Sequence, residues 1–381
     1  SDSDFKGYET TSGSAQIRRY AHKDDQTLVV LDQTPFYAES GGQIGDSGTI
    51  DGEGVSLIVA DVKKDDDSFI HYCTGNIDKK IKGQVSCEVD NERRQNIKKN
   101  HTATHLMHKA LKEILGDHVQ QAGSLVHPNY LRFDLTHFEK ITSDEICKIE
   151  SLVNREILIN SELKISIKSF DDAKKEGAIA MFGEKYGEQV RVITVARFSK
   201  ELCGGTHVDR TGDIGFFKIV EESSLASGVR RLVAVTGPKA VEYVQNQSSI
   251  LESLKAQLNC GTDLVSERVD QLLSQKKELE KDLKKHKKTG SSFNVKLLVD
   301  SSKSVGDYKI VVQMTDATSL DELKDLGNEL LIGIKSGVGV LGAEGEKPMV
   351  VVVVSDDLVK KGIKAGDLAK SIGAEMGGGG G

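Results

Sequence analysis

The first quarter of the chain alternates short β-branched runs with glycine-rich turns. Leu28–Leu31 and Val55–Val59 are two such runs, and their length and flanking turns are typical of strands. Several short strands at regular spacing predict a small β-barrel over residues 1–92. Within this region Pro35–Gly48 is too rich in glycine for a strand and lacks the ending of a phosphate-binding P-loop. We interpret it either as a turn cluster or as a loop whose backbone approaches a ligand closely.

Residues 93–238 change to a mixed pattern. Apolar residues recur at helical spacing from Ala103 to Leu115, and Gly116 follows as a stop. A second helix is predicted over Ser143–Asn160, with Ser143 as its N-cap. Strands are predicted at Tyr130–Leu135, Leu163–Ile167, Val190–Val195 and Leu232–Val235. This mixture predicts a two-layer α/β domain.

Residues 239–292 are helical and polar. Val265, Leu272 and Leu279 repeat every seven residues, but the pattern covers too few heptads for a long coiled coil. Cys260–Asp263 interrupts the segment. We expect a coiled-coil-like helical linker, built as an antiparallel hairpin or as a dimerising helix pair.

Residues 293–381 return to alternating strands and helices. Helices are predicted over Leu320–Lys335 and Lys364–Ile372, and the chain ends in five glycines. Strands are predicted at Val295–Val299, Lys309–Met314, Val338–Leu341 and Met349–Val354. The whole chain is therefore expected to be an α+β protein with four domains, the last of them an α/β domain. A homodimer through the linker or through this last domain is one expectation for its assembly.

Composition narrows the class of protein only modestly. Five scattered cysteines in 381 residues indicate a reducing compartment, and we expect a cytoplasmic protein without membrane association. The net charge of −7 argues against nonspecific nucleic-acid binding. Two local basic clusters are either solvated surface or nucleic-acid contacts: Lys79, Lys80, Lys82, Arg93, Arg94, Lys98 and Lys99, and then Lys284, Lys285, Lys287 and Lys288.

Two short motifs carry the clearest chemistry. His101 and His105 are separated by four residues, as are Cys203 and His207. On a helix this spacing places both side chains on one face. Three imidazoles and one thiolate form a natural tetrahedral zinc set. The sequence therefore predicts Zn²⁺ as a cofactor.

The reaction class follows partly by exclusion. A zinc peptidase of the H-E-x-x-H type needs a glutamate beside the first histidine, and Thr102 stands there. The simplest remaining zinc chemistry is hydrolysis of an activated ester. A closed structural zinc site remains open as an alternative.

Several motifs, in order, resemble the alanyl-tRNA synthetase family. The editing domain of that family is similar to four segments here: His101–Met107, Gln121–Val126, Arg132–Asp134 and Cys203–His207. The family's glycine-rich motif is similar to Phe36–Gly45, and Thr211–Gly215 and Gly228–Arg231 match as well. The C-terminal part resembles the C-Ala domain of the family, joined through a helical linker.

The resemblance implies a zinc-dependent aminoacyl-tRNA deacylase, part of an alanine-tRNA ligase, acting on tRNA-Ala mischarged with serine or glycine. It assigns zinc to His101, His105, Cys203 and His207, and the catalytic recognition of the misplaced amino acid to Gln121. It also implies substrate or tRNA binding by Gly41, Gly42, Gln43 and Arg230.

The same resemblance implies no aminoacylation core in this chain. We expect either an excised C-terminal fragment of the synthetase or a free-standing long-form editing protein. The zinc either activates the attacking water or holds the aminoacyl group while another water attacks. Two other functions stay open: a tRNA-binding module with structural zinc and no turnover, and an editing unit like that of threonyl-tRNA synthetase. The glycine-rich motif and the C-terminal domain argue against the second of these.

Overall fold

A computed structural model describes residues 3–66, 68–77, 83–180, 187–344 and 348–377. Side chains are described for these residues except 284–294 and 296. The chain divides into two compact units, residues 1–252 and 253–381. Of the predicted basic clusters, Lys79, Lys80 and Lys82 and the side chains of Lys284–Lys288 lie outside the described residues. The predicted boundaries of four domains stay a prediction.

The first unit begins with a curved antiparallel sheet. Its buried and exposed residues alternate with the period of two that a strand imposes, as in Val55–Val59. The strands are β1 (Asp4–Phe5), β2 (Ser12–Ala15), β3 (Ile17–Lys23), β4 (Gln26–Leu31), β5 (Gln33–Thr34), β6 (Gly48–Gly52), β7 (Val55–Asp65), β8 (Ser68–Ile77) and β9 (Val85–Val89). Seven of them form one sheet in the order β2-β9-β6-β7-β8-β4-β3, and β1 pairs with β5.

The predicted closed barrel is not confirmed for the described residues. The hydrogen-bonded ladder is open, with β2 and β3 as its two edges. Only Gln16 separates these edge strands, so one stretch of chain pairs first with β9 and then with β4. The two edge strands of the sheet are therefore consecutive in sequence, although they lie at opposite ends of the ladder. The core of this sheet includes Val29, Leu31, Phe36, Ile50, Leu57 and Val59.

The rest of the first unit combines two further sheets with helices. The helices are α1 (Asn91–Leu115), α2 (Ser143–Ile159), α3 (Phe170–Lys175) and α4 (Gly237–Leu258). The strands are β10 (Gln121–Val126), β11 (Leu131–Thr136), β12 (Leu163–Ser169), β13 (Gln189–Val195), β14 (Ser199–Leu202), β15 (Phe217–Ala226) and β16 (Val229–Thr236). One sheet has the order β10-β11-β16-β15 and packs against α1 and α2, and the other has the order β12-β13-β14.

Helix α1 is longer than the apolar pattern predicts. It begins at Asn91, twelve residues before the expected start at Ala103, and the Asp90 side chain caps it by accepting from the Arg93 amide. Every residue from Asn100 to His108 is buried. From Asn91 to Asn100 the helix is mostly exposed or half-buried, and its buried residues are Arg94, Ile97 and Asn100. Because two of these three are polar, this half shows no apolar stripe, and the periodicity missed it. In α2 the N-cap is Thr142, whose side chain forms a capping box with Glu145.

The second unit contains a four-stranded mixed sheet. Its helices are α5 (Val265–Asp300), α6 (Leu320–Ile334), α7 (Asp356–Lys360) and α8 (Ala365–Glu375), and its strands are β17 (Lys303–Val305), β18 (Tyr308–Thr315), β19 (Gly337–Ala343) and β20 (Met349–Val354). The sheet order is β17-β18-β19-β20, with β18 and β19 parallel. The apolar face of α6 packs on this sheet.

One predicted strand of the second unit is wrong. Val295–Val299 forms the last turns of α5, where Val295, Leu298 and Val299 contact the same core as α6. Their spacing of three and four residues is that of a helix face, and a short apolar run alone does not distinguish the two structures.

The heptad leucines of α5 are exposed in the single chain. Leu272 is 53% exposed and Leu279 is 70% exposed. The homodimer stays a prediction. Among the described residues, no helix combines the length and apolar character that crossing a membrane requires.

A buried ion pair joins α1 to the glycine-rich segment. The Arg94 guanidinium binds the Asp46 carboxylate, and both side chains are about 2% exposed or less. Arg94 also donates to the carbonyl oxygens of Gly7 at 2.7 Å and Pro35 at 2.8 Å, and Asp46 accepts from the Tyr37 amide at 2.7 Å. The sequence analysis grouped Arg94 with a basic cluster that was either solvated surface or a nucleic-acid contact. Arg94 is instead buried in an ion pair.

We predict that Asp46→Ala strongly destabilises the first unit. The substitution leaves the guanidinium buried without its counterion, which costs about 3–5 kcal/mol. Denaturant unfolding followed by fluorescence or circular dichroism measures the change. The exposed Asp51→Ala serves as the control and should change the free energy of unfolding by less than about 0.5 kcal/mol. Equal effects of the two substitutions would contradict the prediction.

A second prediction concerns pH. His71 is fully buried, donates from Nδ1 to the Val29 carbonyl at 2.9 Å, and has Nε2 2.8 Å from the Thr34 hydroxyl. Burial lowers the pKa of His71 to about 4, below the unfolded value of 6.5. The unfolded chain therefore takes up this proton first as the pH falls, and stability present above pH 6.5 is lost toward pH 4.

The loss attributed to His71 is about 2 kcal/mol between pH 7 and pH 5. Urea unfolding at both values should show a smaller pH difference for His71→Asn, whatever that substitution does to stability at pH 7. An unchanged pH difference would show that other groups carry the effect.

Candidate metal centre

Four side chains converge at the middle of α1. His101 and His105 come from the buried part of this helix, and Cys203 and His207 come from the loop after β14. One potential ligand atom from each residue lies within 4.8 Å of all the others. The rings of His101 and His105 stack at 5.3 Å between centroids, as two side chains one helical turn apart can.

The loop Cys203–His207 is not helical, although its spacing matches that of the first pair. Arg191 holds it by donating to the carbonyl oxygens of Cys203 at 3.0 Å and Gly205 at 2.8 Å. Tyr8 donates to the Gly204 carbonyl at 2.5 Å, and the Arg191 guanidinium lies 4.2 Å from the centre of the Tyr8 ring. The second ligand pair is thus positioned by side chains outside its own segment.

Each imidazole has an oxygen partner at Nδ1. His101 Nδ1 lies 2.7 Å from Gln43 Oε1, and His105 Nδ1 lies 2.6 Å from Glu201 Oε2. His207 Nδ1 lies 3.2 Å from the Thr102 hydroxyl. Oxygen acceptors at Nδ1 favour the tautomer that leaves the Nε2 lone pair free for a metal.

The Thr102 hydroxyl can only accept from His207. It donates its single proton to the Lys98 carbonyl at 2.9 Å, so the proton between the two side chains belongs to His207 Nδ1. The Nε2 atoms of His101 and His207 each lie 3.3 Å from Cys203 Sγ. His105 Nε2 is buried and has no hydrogen-bond partner among the described residues. A zinc ion would satisfy this orphaned nitrogen, so the residues present fit the metal.

The protonation states suit a metal as well. Burial opposes ionisation of the Cys203 thiol, but the facing imidazoles of His101, His207 and His105 outweigh it and lower the pKa of Cys203 well below its ordinary range. Burial lowers the pKa of His207 to about 3, which keeps that imidazole neutral. Burial opposes protonation of His105, but the Glu201 carboxylate and the Cys203 thiolate outweigh it and raise the pKa of His105 well above its ordinary value. The Cys203 thiolate and neutral His207 are already in the forms that bind zinc, whereas His105 would release a proton when the metal binds.

A cavity of about 380 Å³ opens beside these side chains. Gln121, at the start of β10, and Gly41, in the glycine-rich segment, lie in its wall together with His101, His105 and Cys203. The lining is completed by Tyr37, Ser40, Thr104, Ser124, Gly187, Gln189, Val190, Arg191, Leu202, Gly204 and Gly205.

Three residues predicted to bind substrate or tRNA have other surroundings. Gln43 is fully buried, and its amide is occupied by His101 and Thr206. Gly42 has a φ of +79°, and a Cβ there would lie 2.7 Å from the Ser124 carbonyl oxygen. A glycine at this position thus permits the close approach to β10.

Arg230 of β16 is the third of the residues that were predicted to bind substrate or tRNA. It forms an ion pair with Glu222 of β15 and is not in the wall of the cavity. Both ends of the buried Gln43 amide are in use inside the protein, and its role in substrate or tRNA binding stays a prediction. Roles for Gly41, Gly42, Arg230 and Gln121 stay predictions.

The sequence did not single out the groups that hold the ligands. Glu201 precedes Cys203 by two residues, a spacing that puts both on one face of a strand, and that was the available signal. Thr102 was noticed only as the residue that excludes a peptidase. Tyr8 and Arg191 lie far from the motifs along the chain and carried no signal.

Known protein families match two parts of the chain. A family described as "Threonyl and Alanyl tRNA synthetase second additional domain" matches residues 190–233, which include Cys203 and His207. A family described as "tRNA synthetases class II (A)" matches residues 3–93.

Curated relatives cover nearly all of the chain. It is 43% identical over 391 residues to an alanine–tRNA ligase of Alkaliphilus oremlandii, which covers 99% of this chain and 44% of that protein. It is 42% identical to an alanine–tRNA ligase of Pseudoalteromonas translucida, again over 99% of this chain and 44% of the relative. The chain therefore spans less than half the length of the relatives it matches. These similarities confirm the predicted resemblance to alanyl-tRNA synthetases.

We predict that Gly205→Ala disrupts the metal centre. A Cβ at Gly205 would lie 2.0 Å from His101 Cε1 and 2.4 Å from its Nδ1, so the ring or the loop must move. Zinc binding, measured by competition with a chromophoric chelator, should weaken by at least about tenfold.

Gly204→Ala is the matched control. The nearest atom to a Cβ at Gly204 is the Tyr8 hydroxyl at 4.0 Å, which is ordinary contact. Zinc affinity should therefore stay close to that of the unchanged protein. Similar losses in both variants would argue that the loop as a whole, not the contact with His101, is sensitive.

Proposed function

We propose, from its homology to alanine–tRNA ligases over 99% of its own length, that this chain hydrolyses tRNA-Ala mischarged with serine or glycine. One observation carries the proposal. Three of the four predicted zinc ligands, His101, His105 and Cys203, share the wall of one cavity with the predicted recognition residue Gln121. A metal-competent set beside a convergent polar side chain is what an ester-hydrolysing pocket requires.

The proposed reaction is the hydrolysis of an aminoacyl ester. Water adds to the carbonyl carbon of the aminoacyl ester, and the bond from that carbon to the terminal ribose oxygen breaks. Free amino acid and uncharged tRNA are the products. Zinc, when bound by His101, His105, Cys203 and His207, supplies Lewis-acid chemistry at this ester.

The chain's own residues supply position and selectivity. In this proposal the amide of Gln121, which lines the cavity, hydrogen-bonds the hydroxyl of a seryl group. Alanine lacks that hydroxyl and would leave the amide unpaired, so its ester is bound less well. Glycine is smaller than alanine and would enter the same space.

Such a site compensates for the limited selectivity of an apolar amino-acid pocket. A pocket built for alanine rejects serine or glycine by only about 10–200-fold, because one hydroxyl or one methyl changes binding little. A second, hydrolytic site with a polar recognition group removes the errors that remain. Within this proposal the partner is tRNA-Ala, and the place of action is the cytoplasm.

One observation favours a second function. Four protein side chains offer one ligand atom each within 4.8 Å of one another, and four protein ligands are typical of structural zinc sites. The second candidate is therefore a tRNA-binding module with structural zinc and no turnover. It predicts tight, salt-dependent tRNA binding in which Gln121→Ala has no effect.

A deacylation assay tests the proposal. The zinc-loaded protein should release serine from Ser-tRNA-Ala and glycine from Gly-tRNA-Ala, with Ser-tRNA-Ala hydrolysed at least about 100-fold faster than Ala-tRNA-Ala. Gln121→Ala should lower the serine-to-alanine ratio by about tenfold or more without changing zinc content. Cys203→Ala should lose both zinc and activity.

The neighbouring glutamine gives a matched control. Gln120 is exposed and outside the cavity wall, so Gln120→Ala should hydrolyse all three substrates as the unchanged protein does. A mischarged threonine-specific tRNA in the same panel tests the alternative substrate class. Zinc-loaded protein that binds tRNA but hydrolyses none of the esters would refute the proposal and support the structural-zinc function.

A further inference from the structure

Gln43 lies fully buried where three segments of the first unit meet. It belongs to the glycine-rich segment, and it contacts His101 of α1 and Thr206 of the loop after β14. We propose that Gln43 is a positioning residue for zinc: it fixes the tautomer and the ring orientation of His101. The inference rests on the zinc site of the proposed function and adds to it a residue that touches no substrate.

The hydrogen bonds identify which end of the amide faces the histidine. The Thr206 backbone N–H donates to Gln43 Oε1 at 2.9 Å, so this atom is the oxygen. The same oxygen lies 2.7 Å from His101 Nδ1. The amide nitrogen donates to the Thr206 hydroxyl at 3.0 Å. All polar atoms of the side chain are therefore used inside the protein.

These contacts determine where the proton of His101 sits. An amide oxygen can only accept, so Nδ1 must carry the hydrogen. The lone pair of the ring is then on Nε2, which lies 3.3 Å from Cys203 Sγ and faces the other ligands. The opposite tautomer would set a lone pair against the Gln43 oxygen and turn an N–H toward the metal position.

The position of Gln43 is itself fixed by its segment. Its backbone exchanges two hydrogen bonds with Ser40, at 2.9 Å and 3.0 Å. On either side, the Gly42 carbonyl accepts from the Val126 amide at 2.7 Å, and Asp46 is bound by buried Arg94. A side chain held this firmly can hold the ring that it contacts.

Gln43 also restricts which residue can stand at Gly205 in the loop after β14. A Cβ at Gly205 would lie 2.8 Å from Gln43 Oε1. The His101 ring, at 2.0 Å from that Cβ, and the Gln43 amide together leave room only for glycine at this position. The glycine-rich segment acts on the metal centre from a distance of 58 residues along the chain.

Zinc affinity of substituted proteins tests the inference. Gln43→Met keeps the length of the side chain but removes the acceptor, and it should weaken zinc binding by about 10–100-fold in a chelator competition. Gln43→Glu keeps acceptors for both His101 and Thr206, and it should restore affinity to within about threefold of the unchanged protein. Gln33→Met makes the same change at an exposed glutamine of the same region and should leave zinc affinity unchanged.

A role in folding alone gives a different pattern. In that case Gln43→Met and Gln43→Glu would lower the melting temperature of the zinc-free protein together, and zinc affinity would not distinguish them. That result would overturn the inference.

A measurement on the unchanged, zinc-loaded protein is independent of how the variants fold. Long-range ¹H–¹⁵N correlation of the ring nitrogens should show the proton of His101 on Nδ1, and a proton on Nε2 would also overturn the inference. Zinc binding with the predicted ranking but no deacylation would leave the role of Gln43 intact and refute only the proposed function.

Discussion

The buried pair of Arg94 and Asp46 is the constraint on which the metal centre depends. It fixes the glycine-rich segment against α1, and His101 follows Arg94 by seven residues, about two helical turns along the same rigid element. A buried ion pair tolerates little displacement, because a separated charge would be left without solvent. The distance between the first sheet and the zinc ligands is therefore set with little freedom.

Each of the three histidines is held by a different part of the chain. Gln43, Glu201 and Thr102 supply the oxygens at Nδ1, and they come from the glycine-rich segment, β14 and α1 itself. Every ring is fixed on its far side, and the Nε2 atoms of His101 and His207 both lie 3.3 Å from Cys203 Sγ. Such preorganisation raises metal affinity and leaves the cavity wall free for Gln121.

The hydrophobic pattern predicted secondary structure correctly where one face of an element is buried and the other is exposed to solvent. Helix α6 was predicted closely for this reason. The pattern failed where the buried face of an element is polar or where an apolar run is short. The first half of α1 has no apolar stripe to detect, and Val295–Val299 satisfies both the strand and the helix patterns until its neighbours are known.

The sequence by itself determined the donor atoms: two histidines one helical turn apart, a cysteine followed by two glycines, and a fourth ligand after them. These identities follow from local spacing and from the chemistry of each side chain. Only the tertiary structure decided how the donors are used. The partners of His101, His105 and His207 lie 58, 96 and 105 residues away along the chain. Local spacing carries no information about contacts over such separations, so only packing placed Gln43 beside His101.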